Sequence, residues 1–204
     1  MFTPATLRFD ALFREPSMFD SSGNWQKAGF EVAGRGEKSN IMVASHLSAP
    51  GYLFKKYSKK ISLKKQLKNY RRRVEGAQKL GKFIAKQQLT RIVVSQKYLH
   101  ELPPEFSRKG VSSYVLVVER LVLLESSDSK QQFHQLDNEG LRQLCLVLDK
   151  FQGLDSGVRN VPFTSNDQIA FIDTERWNET KKSHLHRIRA YLSEEQRAFT
   201  ETLF

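Results

Sequence analysis

Cysteine is all but missing from this chain. Cys145 is the single thiol in 204 residues, so no intramolecular disulfide can staple the fold, and a reducing compartment is the expectation. It falls inside an apolar helical pattern, where a lone thiol reads as a small buried hydrophobe. Long hydrophobic runs are also absent: no stretch approaches the ~20 apolar residues that a membrane span needs, and the first residues lack the apolar core of a signal peptide. A soluble, cytoplasmic protein is expected, which leaves export by a specialised secretion route open. Acid is the scarcer charge. Against 33 Lys and Arg stand 22 Asp and Glu, for a formal net charge of +11, and such a balance favours anionic partners: nucleotides, nucleic acid, acidic protein or a membrane surface. No zinc-ligand cluster and no base-stacking aromatic motif accompanies the charge, so specific nucleic-acid reading has no support beyond it.

What is present reads as alternating blocks of strand and helix. Residues 1–24 carry Pro4, Pro16, several Phe and the cluster Asp20-Ser21-Ser22-Gly23-Asn24. They read as an arm with a short helix over 6–13 followed by a loop. Strands are expected over 28–33, 40–47 and 52–57, separated by turns at 34–39 and 48–51. From Ser62, the candidate N-cap, Leu63, Leu67, Tyr70, Val74, Ala77, Leu80 and Ile84 recur at steps of three and four, which predicts one long amphipathic helix to about residue 87. Residues 91–95 read as a buried strand, 97–102 as a bend, and 114–124 as the most apolar strand. A polar loop at 126–132 precedes a helix capped by Asp137 or Asn138 and running to about residue 150. Residues 161–163 and 168–172 read as a hairpin. A helix over 179–192 and another turn or two beyond Ser193 complete the chain.

The chemistry-bearing residues cluster after the third predicted helix. Asp155 is followed five positions on by Asn160, and Asp173 ends the apolar run Ile169-Ala170-Phe171-Ile172. Hard cations prefer oxygen ligands, so Asn160 and Asp173 can share Mg²⁺ while Asp155 accepts a hydroxyl proton. Upstream, the turn Gly34-Arg35-Gly36-Glu37-Lys38-Ser39 lies 21 residues before Lys55, in the strand Tyr52-Leu53-Phe54-Lys55. By alternation Leu53 and Lys55 share one face and Lys56 points outward on the other, although a slip of one residue exchanges the two lysines. Glu75 is the only acidic residue of the long helix and lies 20 positions after Lys55. The surrounding basic run, from Lys55 to Arg73, is either a solvated face or a docking surface for an acidic partner.

Taken together, these residues resemble the protein-kinase family. Asp155 to Asn160 fits the Asp-x-x-x-x-Asn of its catalytic loop, and Asp173 fits the Asp of its metal-binding Asp-Phe-Gly, here Asp173-Thr174-Glu175. Gly34, Gly36 and Ser39 resemble its glycine-rich loop, with Ser39 in place of the third Gly. Lys55 fits its nucleotide lysine. The resemblance implies an ion pair between Lys55 and Glu75, Val118 at the gatekeeper position, and adenine binding by the backbone of Glu119 and Leu121. The family's catalytic-loop His and Arg are replaced by Gly153 and Leu154. Its common Lys is Gly157, and Arg159 sits where some members place an Arg that serves the same phosphate. The resemblance stops after Asp173.

It implies an α+β, two-lobed minimal protein-kinase-like fold with an antiparallel N-lobe sheet, a long αC-type helix and a reduced helical C-lobe. The expected division is an arm (1–24), an N-lobe (25–124) and a C-lobe (125–204). The implied function is an ATP- and Mg²⁺-dependent phosphotransferase, a compact Ser/Thr-type protein kinase. Size and layout resemble the minimal effector kinases that bacterial pathogens inject into host cells, including one family that phosphorylates a host heat-shock chaperone. Leu154 implies that no Arg waits for a phosphorylated activation loop, so activity without loop gating is expected. The alternative is a catalytically weak or inactive kinase-fold module that docks an acidic partner through its basic helix. A small-molecule acceptor and a charge-driven nucleic-acid binder remain as further readings.

Overall fold

The computed structural model describes residues 9–33, 41–57, 61–106, 112–180 and 186–203. In chain order its elements are α1 (Ser22–Lys27), β1 (Phe30–Ala33), β2 (Ile41–His46), β3 (Tyr52–Tyr57), α2 (Leu63–Gln87), β4 (Ile92–Val94), β5 (Lys97–Glu101), β6 (Tyr114–Glu119), α3 (Ser126–Gln135), α4 (Asn138–Lys150), β7 (Ile169–Phe171), α5 (His186–Arg189) and α6 (Glu194–Glu201). The class is α+β. Two compact units divide the chain, Met1–Arg71 with Gln96–Arg120, and Arg72–Ser95 with Leu121–Phe204. This interleaved division replaces the contiguous segments drawn from sequence, because the chain enters the second unit within α2 and returns to the first at β5.

The first unit is built on an antiparallel sheet of order β1-β2-β3-β6-β5. Its central strand β3 pairs Val43 with Lys55 on one side and Lys55 with Leu116 on the other. One face of the sheet is covered by the N-terminal arm. Phe54 lies fully buried there, with the rings of Phe9, Phe13 and Phe30 at 5.4, 5.8 and 5.5 Å. Burying each such ring stabilises the fold by roughly 1.5–3 kcal/mol, which is how an arm with little regular structure is held. Residues 20–24, expected as a loop, begin α1 instead. The Ser21 hydroxyl accepts from the Asn24 N–H at 3.1 Å as an N-cap, and Trp25 anchors the turn in the core. Cap residues and loop residues are the same types, and the buried Trp decides between them. Residues 97–101, expected as a bend, are an edge strand in register with β6.

Lys56, expected to point outward, does the reverse. It shares the arm-covered face with Phe54 and is 1% exposed. Its ammonium donates to the Ser112 carbonyl and, at 2.9 Å, to the Tyr114 carbonyl, and it lies 4.4 Å from the centre of the Phe19 ring. The sheet face chosen by Phe54 fixes where Lys56 must go, since alternate residues of a strand share a face.

The second unit gathers α3, α4, α5 and α6 around one core with the parallel pair β4–β7. Asp137 caps α4 by accepting from the Gly140 N–H at 2.7 Å, and Leu141, Leu144, Val147 and Leu148 bury its apolar stripe. Cys145 is buried with them, as expected, and burial pushes its thiol up to about 12. Residues 126–132, expected as a loop, start α3, whose Ser129 and Phe133 reach the core. The strand expected over 114–124 ends at Glu119, and Leu123 and Leu124 pair instead with Thr164 and Phe163. Of the helix expected over 179–192, the described part is α5. A capping box between Ser193 and Gln196 starts α6, and the Gln196 amide donates to the carbonyls of Phe133 and Leu136 at 3.0 and 2.7 Å. Among the described residues, no helix is long and apolar enough to cross a membrane.

The cradle around Lys56 makes a measurable prediction. Burial pulls its ammonium from the ordinary 10.5 down to about 7. Between those values the unfolded chain holds a proton that the native site has released, so stability contributed here rises with pH, by at most about 1.4 kcal/mol per unit. Below about 7 both states are protonated and the slope vanishes. Urea titrations of wild type and Lys56→Met should therefore diverge in favour of wild type from pH 7.5 to 9.5. Parallel curves over that range would mean that the lysine keeps its ordinary pKa.

Candidate functional site

The loop after α4 is pinned by alternation. Leu154, Ser156 and Val158 are buried, and Asp155, Gly157 and Arg159 face outward between them. The Asp155 Oδ1 accepts the Gly157 N–H at 2.9 Å and the Arg187 guanidinium at 2.7 Å. Asn160 is tied to both ends of the site. Its N–H donates to the Gly157 carbonyl at 2.7 Å, and its own carbonyl accepts the Ile172 N–H at 3.1 Å. Its side chain also hydrogen-bonds Asp155. The three buried residues of β7 then deliver Asp173, whose Oδ1 accepts the Glu175 N–H at 3.1 Å. Asp155 and Asp173, with Glu175 and Arg176, line one cleft of about 330 Å³.

Charge in the cleft is balanced by arginines. Burial acts to raise the Asp155 carboxyl. The Gly157 N–H, the hydrogen bond and charge of Arg187 and the Asn160 amide outweigh it and hold the group below its usual range. On the other wall Arg73 of α2 stands 3.6 Å from the Asp173 Oδ1 and also pairs with Glu175.

Close backbone packing fixes the segment that carries Asp173. The buried Thr174 hydroxyl donates to the Arg73 carbonyl at 2.7 Å. A Cβ on Gly76 would come within 2.2 Å of the Thr174 carbonyl, and one on Gly153 within 1.8 Å of the Arg176 carbonyl. Arg72 adds an ion pair to Glu179 at 3.1 Å. Gly153 and Leu154 thus have structural duties: one admits the passing backbone of 176–179, and the other fills the core.

The remaining expected residues fall as follows. Lys55 is half-buried on the face of β3 opposite Phe54 and Lys56, between Val43 and Leu116. Val118 is buried in β6 opposite Leu53. The Glu119 N–H donates to the Gln96 carbonyl at 2.9 Å. Leu121 lies just beyond that strand, in the second unit. Glu75 is exposed on α2, about 160° around the helix from Arg73 at 100° per residue; it belongs to the second unit and Lys55 to the first. Arg159 is exposed. Gly34, Gly36 and Ser39 lie outside the described residues. Sequence reasoning passes over Arg73, Glu175 and Arg187. Arg73 is one of many in a basic run, Glu175 stands where a Gly is expected, and Arg187 carries no spacing signal at all.

Comparison with known proteins adds little to this. No family model and no curated protein matches the chain. Among solved structures it is similar to a crystal structure of WbdD, with a TM-score of 0.38 and 13% identity, over 85% of this chain and 37% of that one.

The two tight glycines carry the prediction from this geometry. Gly76→Ala and Gly153→Ala each force backbone apart and should lower stability by roughly 1–3 kcal/mol or more. Gly51→Ala, whose Cβ would meet nothing within 4 Å, is the control and should stay within about 0.5 kcal/mol of wild type. Chemical denaturation of the three variants decides it, and equal stabilities would refute the close packing.

Proposed function

We propose that this chain is an ATP- and Mg²⁺-dependent phosphotransferase of the compact protein-kinase kind, acting on protein hydroxyls. The observation that carries the reading is that Asp155 and Asp173 line one cleft, with Asn160 hydrogen-bonded to Asp155 through its side chain and to the Ile172 N–H, next to Asp173, through its carbonyl. The first unit supports it with an antiparallel sheet that presents Lys55 on its central strand and is followed in sequence by the long α2.

The donor set fits Mg²⁺. That ion commonly takes one or two carboxylates and completes its shell with phosphate oxygens and water. A site of Asn160 and Asp173, with Glu175 beside them, matches this need better than a closed all-protein cage would. When bound, the ion neutralises charge on the phosphate oxygens. The protein's own residues do the rest. Asp155 orients the acceptor hydroxyl and takes its proton as the oxygen attacks the γ-phosphorus. The bond to the β–γ bridging oxygen breaks, and ADP leaves with the electron pair. Lys55 provides positive charge for the α- and β-phosphates. Most of the rate gain comes from positioning and charge, since such transfers ask for little covalent help. Buried Leu154 leaves no cation to await a phosphorylated loop, so the unphosphorylated protein should be active.

Transfer of labelled γ-phosphate from Mg·ATP to the protein itself and to a cell extract tests the reading. Wild type should label at least one band, and Asp173→Ala and Asp155→Asn should each reduce that label by roughly 10²-fold or more. Label absent from wild type would overturn it and favour a non-catalytic module docking through the exposed Lys64, Lys65, Lys68 and Arg71 of α2.

A further inference from the structure

The cation that meets Asp155 comes from neither position that motif spacing offers. Gly157 has no side chain, and Arg159 is exposed. Arg187, 32 residues downstream, supplies it through a 2.7 Å contact with the Asp155 Oδ1. Position 157 borders the contact: a Cβ there would lie 3.3 Å from that same Oδ1 and 4.0 Å from the Arg187 guanidinium.

The approach is built rather than incidental. Arg187 sits on α5, whose next residue, Ile188, is fully buried, as is Leu192 beyond it. Arg189 pairs with Glu201 of α6, and the Arg197 guanidinium donates to the Arg189 carbonyl at 3.0 Å. One short helix is thus fastened on the side away from Asp155, with Arg187 directed at the carboxylate. A guanidinium has five N–H donors in a rigid fork, and the contact with Asp155 uses one face of it.

We propose that Arg187 is a catalytic residue of this site. It aims the Asp155 carboxylate, and with its remaining donors it binds the equatorial oxygens of the phosphoryl group in transit. In the transfer already described it gains and loses no bond; it stabilises charge that spreads over three oxygens as the bond to the leaving ADP breaks. Among the described residues, the charged groups that line the cleft with Asp155 are Asp173, Glu175 and Arg176. The inference rests on the phosphotransferase reading.

Steady-state transfer by wild type, Arg187→Ala, Arg187→Gln and Arg187→Lys tests it, with unchanged thermal melting as the fold control. The Ala and Gln variants should lose roughly 10²-fold in kcat, with KM for ATP little changed, as for removal of a donor that acts mainly in the transition state. A lysine brings the charge without the fork, so Arg187→Lys should recover part of the rate. A kcat within twofold of wild type would overturn the role of Arg187 and leave the phosphotransferase reading intact. A faster Arg187→Ala would also overturn it, marking the contact as inhibitory. Wild type without any transfer would sink both.

Discussion

The hydrogen bond from the Thr174 hydroxyl to the Arg73 carbonyl is small, yet the acidic cleft depends on it. It ties the segment after β7 to the backbone of α2 beside Gly76, where that helix has no side chain in the way. A side chain–backbone bond of this kind contributes only about 1 kcal/mol by itself. Its effect is geometric. Once Thr174 is fixed, Asp173 and Glu175 on either side of it must project toward Arg73, and the ion pairs follow from that placement. The same segment runs on over Gly153, so both walls of the cleft are set by backbone lying against backbone.

Electrostatics in such a site is a problem of excess. Asp155, Asp173 and Glu175 share one cleft, and like charges at close range repel. Arg187 sets positive charge against Asp155 and Arg73 against Asp173 and Glu175, while Asn160 contributes hydrogen bonds and no charge. The strongly basic composition thus has a local counterpart in the arginines paired with these three carboxylates.

Much of the local structure was legible because single residue types decide it. The 3.6-residue recurrence from Leu63 to Ile84 gave α2, Asp137 gave the start of α4, and a five-residue interval with an apolar run before Asp173 gave three polar groups that meet in space. The misreadings share a physical cause. Ser, Asp, Asn and Gly serve both loops and helix starts, so 20–24 and 126–132 took their state from Trp25 and Phe133, whose burial is a tertiary fact. Lys56 was misplaced because a lysine is rarely buried without a carboxylate, and the cradle of carbonyls that accepts it comes from residues 112 and 114. Arg187 could not be found from spacing, since its distance from Asp155 is set by the fold of the terminal helices.

The clamped segment around Asp173 bears on how a small molecule can occupy this protein. A ligand that reaches behind Asp173 would need this segment to swing away. Here Thr174 is buried against α2, Gly76 and Gly153 admit backbone with no room to spare, and Arg72 and Arg73 hold the flanks. Outward rotation of that segment means undoing the contacts that seat α2 in its own core. A ligand of this cleft is therefore confined to its open front, among Asp155, Asp173, Glu175 and Arg176.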